Sequence, residues 1–233
     1  MKILVVIPAR GGSKRLVGKN ILPLGGKPLI NWSIDIAIEI SQFCDVLVST
    51  DDAIISTIAK RSGAQVPWLR PAELASDVAT LVDVAIHALD WYEENYGTVD
   101  GLLLLQPTTP FRSKAKILEG IELYKIFNKL PVIGVSPARD HPQWALQEQK
   151  GFLIPFIEAH GLTLRSQDLK PAFVPNGSFY LVSPKHLRSK HLFFGDKTVP
   201  LIITSQVQSL DIDTEWDYKL AHILLEHFPD LIK

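Results

Sequence analysis

The chain is expected to form an α/β fold of three layers, with a mostly parallel sheet covered by helices on both faces and one small inserted arm. Two observations predict it. Short apolar runs of strand length alternate with segments whose apolar residues recur every three to four positions. The strand runs are also apolar throughout rather than alternating, as in strands buried on both sides. The sheet is therefore Rossmann-like. Its 233 residues, 46% hydrophobic and 21% charged, suit a single domain spanning 1–233 with a sizeable core and exclude wholesale disorder.

In chain order, residues 3–7 form the first strand, and Leu29, Ile30, Trp32, Ser33, Ile36, Ala37 and Ile40 follow at helical spacing. Residues 46–48 are the next buried strand; Ser49, Thr50, Asp51 and Asp52 end it and cap a helix over 53–61. A helix over 78–95 places Val82, Ile86, Leu89 and Tyr92 near one face. A strand at 102–105 leads through Gln106-Pro107-Thr108-Thr109-Pro110 to a helix over 114–127, and 132–135 is another strand. Residues 138–175, richer in Pro, Gln, His and charge, break the pattern and read as a hairpin or extended arm suited to dimerisation. Strands return at 179–182 and 201–203, and a helix over 215–227 closes the chain. Ligands of such sheets bind beyond the carboxyl ends of the strands, which gathers 8–20, 49–52 and 106–110 on one rim.

A net charge of −1 gives no bulk attraction to nucleic acid or to an anionic membrane. The apolar run at 4–7 is too short for a signal-peptide core, and no run nears the ~20 residues that cross a bilayer. The single cysteine, Cys44, excludes an intramolecular disulfide and a cysteine zinc site, and is expected to be a small core filler. A cytoplasmic protein is expected.

Three stretches carry chemistry. The first is the loop from Arg10 to Asn20, where Gly11, Gly12 and Gly18 accompany Arg10, Lys14, Arg15 and Lys19 directly after a buried strand. Glycines admit close approach of backbone to an anion and the cations neutralise it, so the loop reads as a polyphosphate site. It is no Walker A loop: five residues separate Gly12 from Gly18, and Asn20 rather than Ser or Thr follows Lys19. The second is Asp211-Ile212-Asp213. Residues two apart on extended backbone face the same way, and two carboxylates on one side suit Mg²⁺, with Ile212 packing opposite. Thr214 then looks like a helix cap, boxed by Asp217. The third is the rigid polar segment 106–112, which could read a base edge or sugar hydroxyls, or simply end a strand. The histidine spacings do not make a zinc site.

Taken in order, the motifs resemble those of the CMP-sugar synthetases, specifically the CMP-N-acylneuraminate cytidylyltransferases and their relatives for legionaminic and pseudaminic acids. They are Ile7-Pro8-Ala9-Arg10-Gly11-Gly12-Ser13-Lys14 with Lys19-Asn20, Ser49-Thr50-Asp51, Arg70-Pro71-Ala72-Glu73-Leu74-Ala75-Ser76-Asp77, Leu105-Gln106-Pro107-Thr108-Thr109-Pro110, Asn176-Gly177-Ser178-Phe179-Tyr180 and Asp211-Ile212-Asp213-Thr214-Glu215. The resemblance implies a nucleotidyltransferase-type fold and attack of a sugar acid's C2 hydroxyl on the α-phosphate of CTP, with release of pyrophosphate. It implies that Ala9, Arg10, Gly11, Ser13, Lys19, Asn20, Ser76 and Gln106 bind CTP, and that Gln106, Arg165, Gln167 and Asn176 bind the acid. Asp211 and Asp213 would hold Mg²⁺; Arg10, Lys19 and Asp211 would carry the chemistry; a homodimer is implied. Some sialic acid members carry an arginine where this chain has Val174, and a lysine where it has Trp144, so the acid itself is left open among the nine-carbon class. The eight-carbon Kdo cytidylyltransferases usually have Tyr-Gly-Ser in place of Gly11-Gly12-Ser13 and rank second. A glycosyltransferase with an Asp-x-Asp metal pair and a non-catalytic nucleotide-binding module are the rivals from other classes.

Overall fold

The computed structural model describes residues 1–40 and 44–231; the side chain of Cys44, expected in the core, lies outside the described residues. The elements are β1 (Ile3–Pro8), β2 (Pro23–Leu24), β3 (Lys27–Pro28), α1 (Leu29–Glu39), β4 (Cys44–Ser49), α2 (Ala53–Arg61), α3 (Ala72–Ala75), α4 (Leu81–Tyr96), β5 (Gly101–Leu104) and α5 (Lys114–Ile126). After them come β6 (Val132–Pro137), β7 (Leu146–Gln149), β8 (Phe152–Pro155), β9 (Phe173–Val182), α6 (Pro184–Lys190), β10 (Val199–Ile202) and α7 (Glu215–His227).

Six strands form one sheet in the order β10-β6-β9-β5-β1-β4. β1 runs parallel to β4 and β5, and β10 parallel to β6, while β9 runs against both of its neighbours. The reversal follows from the arm. The chain leaves the sheet at Pro137 and returns at its register partner Phe173, so β9 must run back along β6. The pleat sorts the buried strand residues between two cores. Ile3, Val5, Ile7, Val46, Val48 and Leu103 face α1, α2 and α5; Leu4, Val6, Leu47, Leu102 and Leu104 face α4 and α6. That is the expected three-layer arrangement. A third, smaller cluster joins Leu24, Leu29 and Phe111 to Ile212 and Ala221, docking α7 against the β2–β3 hairpin.

Caps set several boundaries. Asp52 accepts from the amides of Ile54 and Ile55 at the start of α2, and Thr80 with Asp83 makes a full capping box for α4. That box corrects the expected start at 78: residues 76–80 lead into the helix rather than belonging to it. The arm contains the β7–β8 hairpin, turned by Lys150 and Gly151 in left-handed conformations. Its expected end at 175 moves back, because 173–175 pair with β6. The β2–β3 hairpin, α3 and α6 are too short to show a period in the sequence. Among the described residues no helix is long and apolar enough to cross a membrane.

Candidate active site

The loop after β1 is fastened from below. The Ala9 amide, wholly buried, donates to the Ser49 carbonyl at 2.9 Å, and the Gly11 amide donates to Asp51 Oδ1 at 3.0 Å. Gly11 is required sterically: a Cβ there would sit 2.7 Å from Asp52 Oδ2. Asn20, buried, ties the far end of the loop to its start by donating from Nδ2 to the Arg10 carbonyl at 2.9 Å. Gly18 makes the last turn in the left-handed region, φ +64°.

This loop forms one wall of a cavity of about 460 Å³. Arg10, Ser13, Lys14, Arg15, Lys19 and Asn20 of the loop line it, together with Arg70, Leu74, Ser76, Asp77, Thr80, Leu81 and Val84 from residues 70–84 and with Pro8, Gln106 and Thr108. Its four loop cations divide between two carboxylates. Arg10 and Lys14 hold Asp77 at 3.0 and 2.5 Å, and Arg15 and Lys19 hold the two oxygens of Asp213, each at 2.8 Å. Hydrogen bonds from Lys14 and then Arg10 keep the Asp77 carboxyl below its ordinary range.

Arg70 was not among the candidates read from the sequence, yet it is the most unusual group of this cleft. Its backbone amide is tethered to the Thr50 carbonyl, and its side chain is only 4% exposed. Nη2 lies 3.6 Å from Asp51 Oδ1, and neither Nε nor Nη2 has a hydrogen-bond partner. Burial lowers its pKa, Asp51 opposes this, and Arg10 adds to it. Such orphaned donors are costly unless something completes them.

A second cavity, of about 370 Å³, adjoins the first and shares Gln106 with it; Ser136, Val174, Pro175, Asn176, Gly177, Tyr180, Ser209 and Asp211 complete its lining. It is shaped by an irregularity in β9, where register shifts between Ile133 and Val135 and Gly177 adopts φ +74°. Bulges re-aim side chains beside sites. This one turns Asn176 inward, where Oδ1 accepts from the Ser178 amide and hydroxyl and Nδ2 donates to Ser136 Oγ at 3.0 Å. One amide N–H remains for a ligand. Gly134 opposite makes room: a Cβ there would meet Ser178 Oγ at 2.5 Å. Arg112, which ends the segment 106–112 and is given no role of its own by the sequence, braces Gln106, which lines both cavities. It is buried and donates to the carbonyls of Ser178 and Gln106 and to the Ser33 hydroxyl.

Asp211 lines the second cavity, and Asp213 holds Arg15 and Lys19 of the first. Ile212 between them is fully buried, and its amide donates to the Thr108 carbonyl at 2.7 Å. Thr214 and Asp217 form the expected capping box, and Asp217 also accepts from the Asp213 amide. Asp211 is open to solvent on its outer side but crowded on its inner side. Desolvation raises its carboxyl, against a hydrogen bond from the Thr108 side chain; Asp213 raises it further, and Lys19 and Arg112 lower it. Among the described residues no cluster of three or more His, Cys, Asp or Glu could hold a metal. Two hard oxygen donors on one anchored segment nevertheless fit Mg²⁺, which takes one or two carboxylates and fills its shell with water and phosphate oxygens.

Of the remaining sequence candidates, Ser76 lines the first cavity and donates to the Glu73 carbonyl. Arg165 and Gln167 lie on the arm; Arg165 pairs with Asp168 at 2.9 Å, and neither residue lines either cavity. Arg70 stands in one of the quoted motifs, but nothing about a lone arginine before a proline foretells burial. Arg112, at the end of the segment 106–112, reads equally as a solvated charge.

A sheet rim carrying a cation-lined cleft beside a second polar pocket defines a class, the nucleotidyltransferases. The cytidylyltransferase family profile matches residues 4–125. CMP-N,N'-diacetyllegionaminic acid synthase of Legionella pneumophila subsp. pneumophila is 38% identical over 227 residues, covering 97% of both chains. N-acylneuraminate cytidylyltransferase of Streptococcus agalactiae serotype III is 34% identical over 97% of this chain, which spans 54% of that protein's length. Among solved structures, CMP:2-keto-3-deoxy-manno-octonic acid synthetase complexed with CTP matches with a TM-score of 0.71 over 97% of this chain and 98% of that one, at 17% identity, a likeness of fold. The chain belongs to the cytidylyltransferase family, in its CMP-nonulosonic acid synthetase branch.

Proposed function

We propose that this protein joins CTP to a nine-carbon α-keto sugar acid of the legionaminic class, giving the CMP-sugar and pyrophosphate. The observation that carries the reading is the meeting of two cavities at Gln106, one lined by five cations and one by uncharged groups and Asp211. The relative that shares 38% of its sequence end to end supports the nine-carbon acid, whereas the eight-carbon alternative has only a likeness of fold behind it.

In this reading the triphosphate lies along Arg10, Ser13, Lys14 and Lys19. Its base enters the slot of Leu74, Leu81 and Val84, where the unpaired Nε and Nη2 of Arg70 donate to the O2 and N3 acceptors of cytosine. Uracil presents an N3–H there and would meet a donor. The acid sits against Asn176, Ser136 and Gln106, and its C2 oxygen attacks the α-phosphorus as the bond to the bridging oxygen breaks. Asp211, the one carboxylate among the residues lining that pocket, receives the hydroxyl proton. In-line positioning and neutralisation of the departing pyrophosphate supply the catalysis. Asp211 and Asp213 would hold Mg²⁺, which when bound offsets negative charge on the phosphates.

No Lys or Arg lines the acid pocket, so the acid's carboxylate needs a cation from elsewhere. Arg165, with Gln167, on the arm is the candidate. The arm also exposes Phe152, Leu153, Phe156 and Ile157, an apolar surface that supports a homodimer. A cytoplasmic location agrees with the use of CTP. The test is pyrophosphate release from CTP with a panel of ulosonic acids. Release with a nine-carbon acid and not with Kdo is expected. No release with any acid, at intact CTP binding, overturns the reading.

A further inference from the structure

Asp77 has no evident structural duty. It lies in the exposed turn before α4, yet the cap of that helix is already complete with Thr80 and Asp83. Among the described residues its carboxylate has only two hydrogen-bond partners, Arg10 Nη1 at 3.0 Å and Lys14 Nζ at 2.5 Å, and both come from the loop after β1 that lines the same cavity. The pairs join segments 67 and 63 residues apart in sequence, and all three residues line the cavity. Asp213 plays the corresponding part for Arg15 and Lys19, but it is held in place by the capping box of α7 and by buried Ile212. Asp77 has neither anchor, and Val78 beside it is 87% exposed.

We propose that Asp77 stands in for the nucleotide's phosphates: it holds Arg10 and Lys14 across the cleft, is displaced when the triphosphate arrives, and takes the two cations back as pyrophosphate leaves. The proposal rests on the function given above. A carboxylate and a phosphate compete for the same Arg10 Nη1 and Lys14 Nζ donors, so apparent affinity falls with the fraction of molecules in which Asp77 holds them. Both pairs are exposed, with side-chain accessibilities of 39% for Arg10, 77% for Lys14 and 52% for Asp77, so the grip is weak and reversible. Weak internal competition suits a site that must also let go of its product.

The test is titration calorimetry of the full chain and its Asp77→Asn and Asp77→Ala variants with CTP and, separately, with inorganic pyrophosphate. Both variants should bind both anions about three- to tenfold more tightly than the wild type. Pyrophosphate should inhibit their turnover at correspondingly lower concentration, with thermal unfolding unchanged. If the wild type binds CTP but the variants bind the two anions equally or more weakly, Asp77 shapes the site instead and the inference fails alone. If the wild type binds neither anion, the proposed function fails and takes this inference with it.

Discussion

The two cavities that meet at Gln106 are built on different principles. The nucleotide cleft rests on the carboxyl ends of parallel strands, and its loop is fastened by a backbone bond to Ser49 and by the side chains of Asp51 and buried Asn20. It carries five cationic side chains of its own. The acid pocket rests on the one strand that runs backwards, takes its shape from the Asn176–Gly177 irregularity, and has no cation in its lining. Under the proposed function, the contrast teaches that the core fold supplies the charge for the phosphates, whereas the pocket for the acid is shaped by the excursion that reversed β9.

Three changes break this contrast, from the largest effect to the smallest. Lys19→Ala removes a nearly buried cation at the junction, its side chain 12% exposed. Turnover should fall about 10²- to 10³-fold, as when one preorganised donor to a reacting group is lost, with little change in thermal unfolding. Steady-state kinetics beside a melting curve checks it. Arg70→Met keeps the bulk of the side chain and removes the unpaired donors. The KM for CTP should rise about 10- to 100-fold and the preference for CTP over UTP should narrow, the KM for the acid staying put. Gly134→Ala drives a methyl group against Ser178 Oγ and Asn176 Oδ1. It should cost about 1–3 kcal/mol of stability, and raise the KM for the acid severalfold while that for CTP is unchanged. An equal rise in both constants would merge the two pockets into one unit.

The same contrast decides what was legible in the sequence. The loop after β1 is contiguous and its charges stand against a short apolar strand, so its place in a cation-lined cavity could be read from residues 3–20 alone. The Thr214–Asp217 box was legible and marks where extended chain ends after Asp213, and the helices over 53–61 and 215–227 have the bounds that their caps imply. The start of α4 was misjudged by three residues because the apolar Val78 and Ala79 extend the helical pattern past the Thr80 cap. The direction of β9 is a consequence of where the arm returns, which no local pattern records. Arg70 and Arg112 owe their importance to burial by distant segments, and an isolated arginine gives no sign of that.

A crystal structure with CTP bound would test the account most directly. The triphosphate should lie on Arg10, Lys14 and Lys19, with Asp77 turned away from them, and the cytosine should face Nε and Nη2 of Arg70. A triphosphate seated in the 370 Å³ pocket beside Asn176, or a base placed away from Arg70, would contradict it.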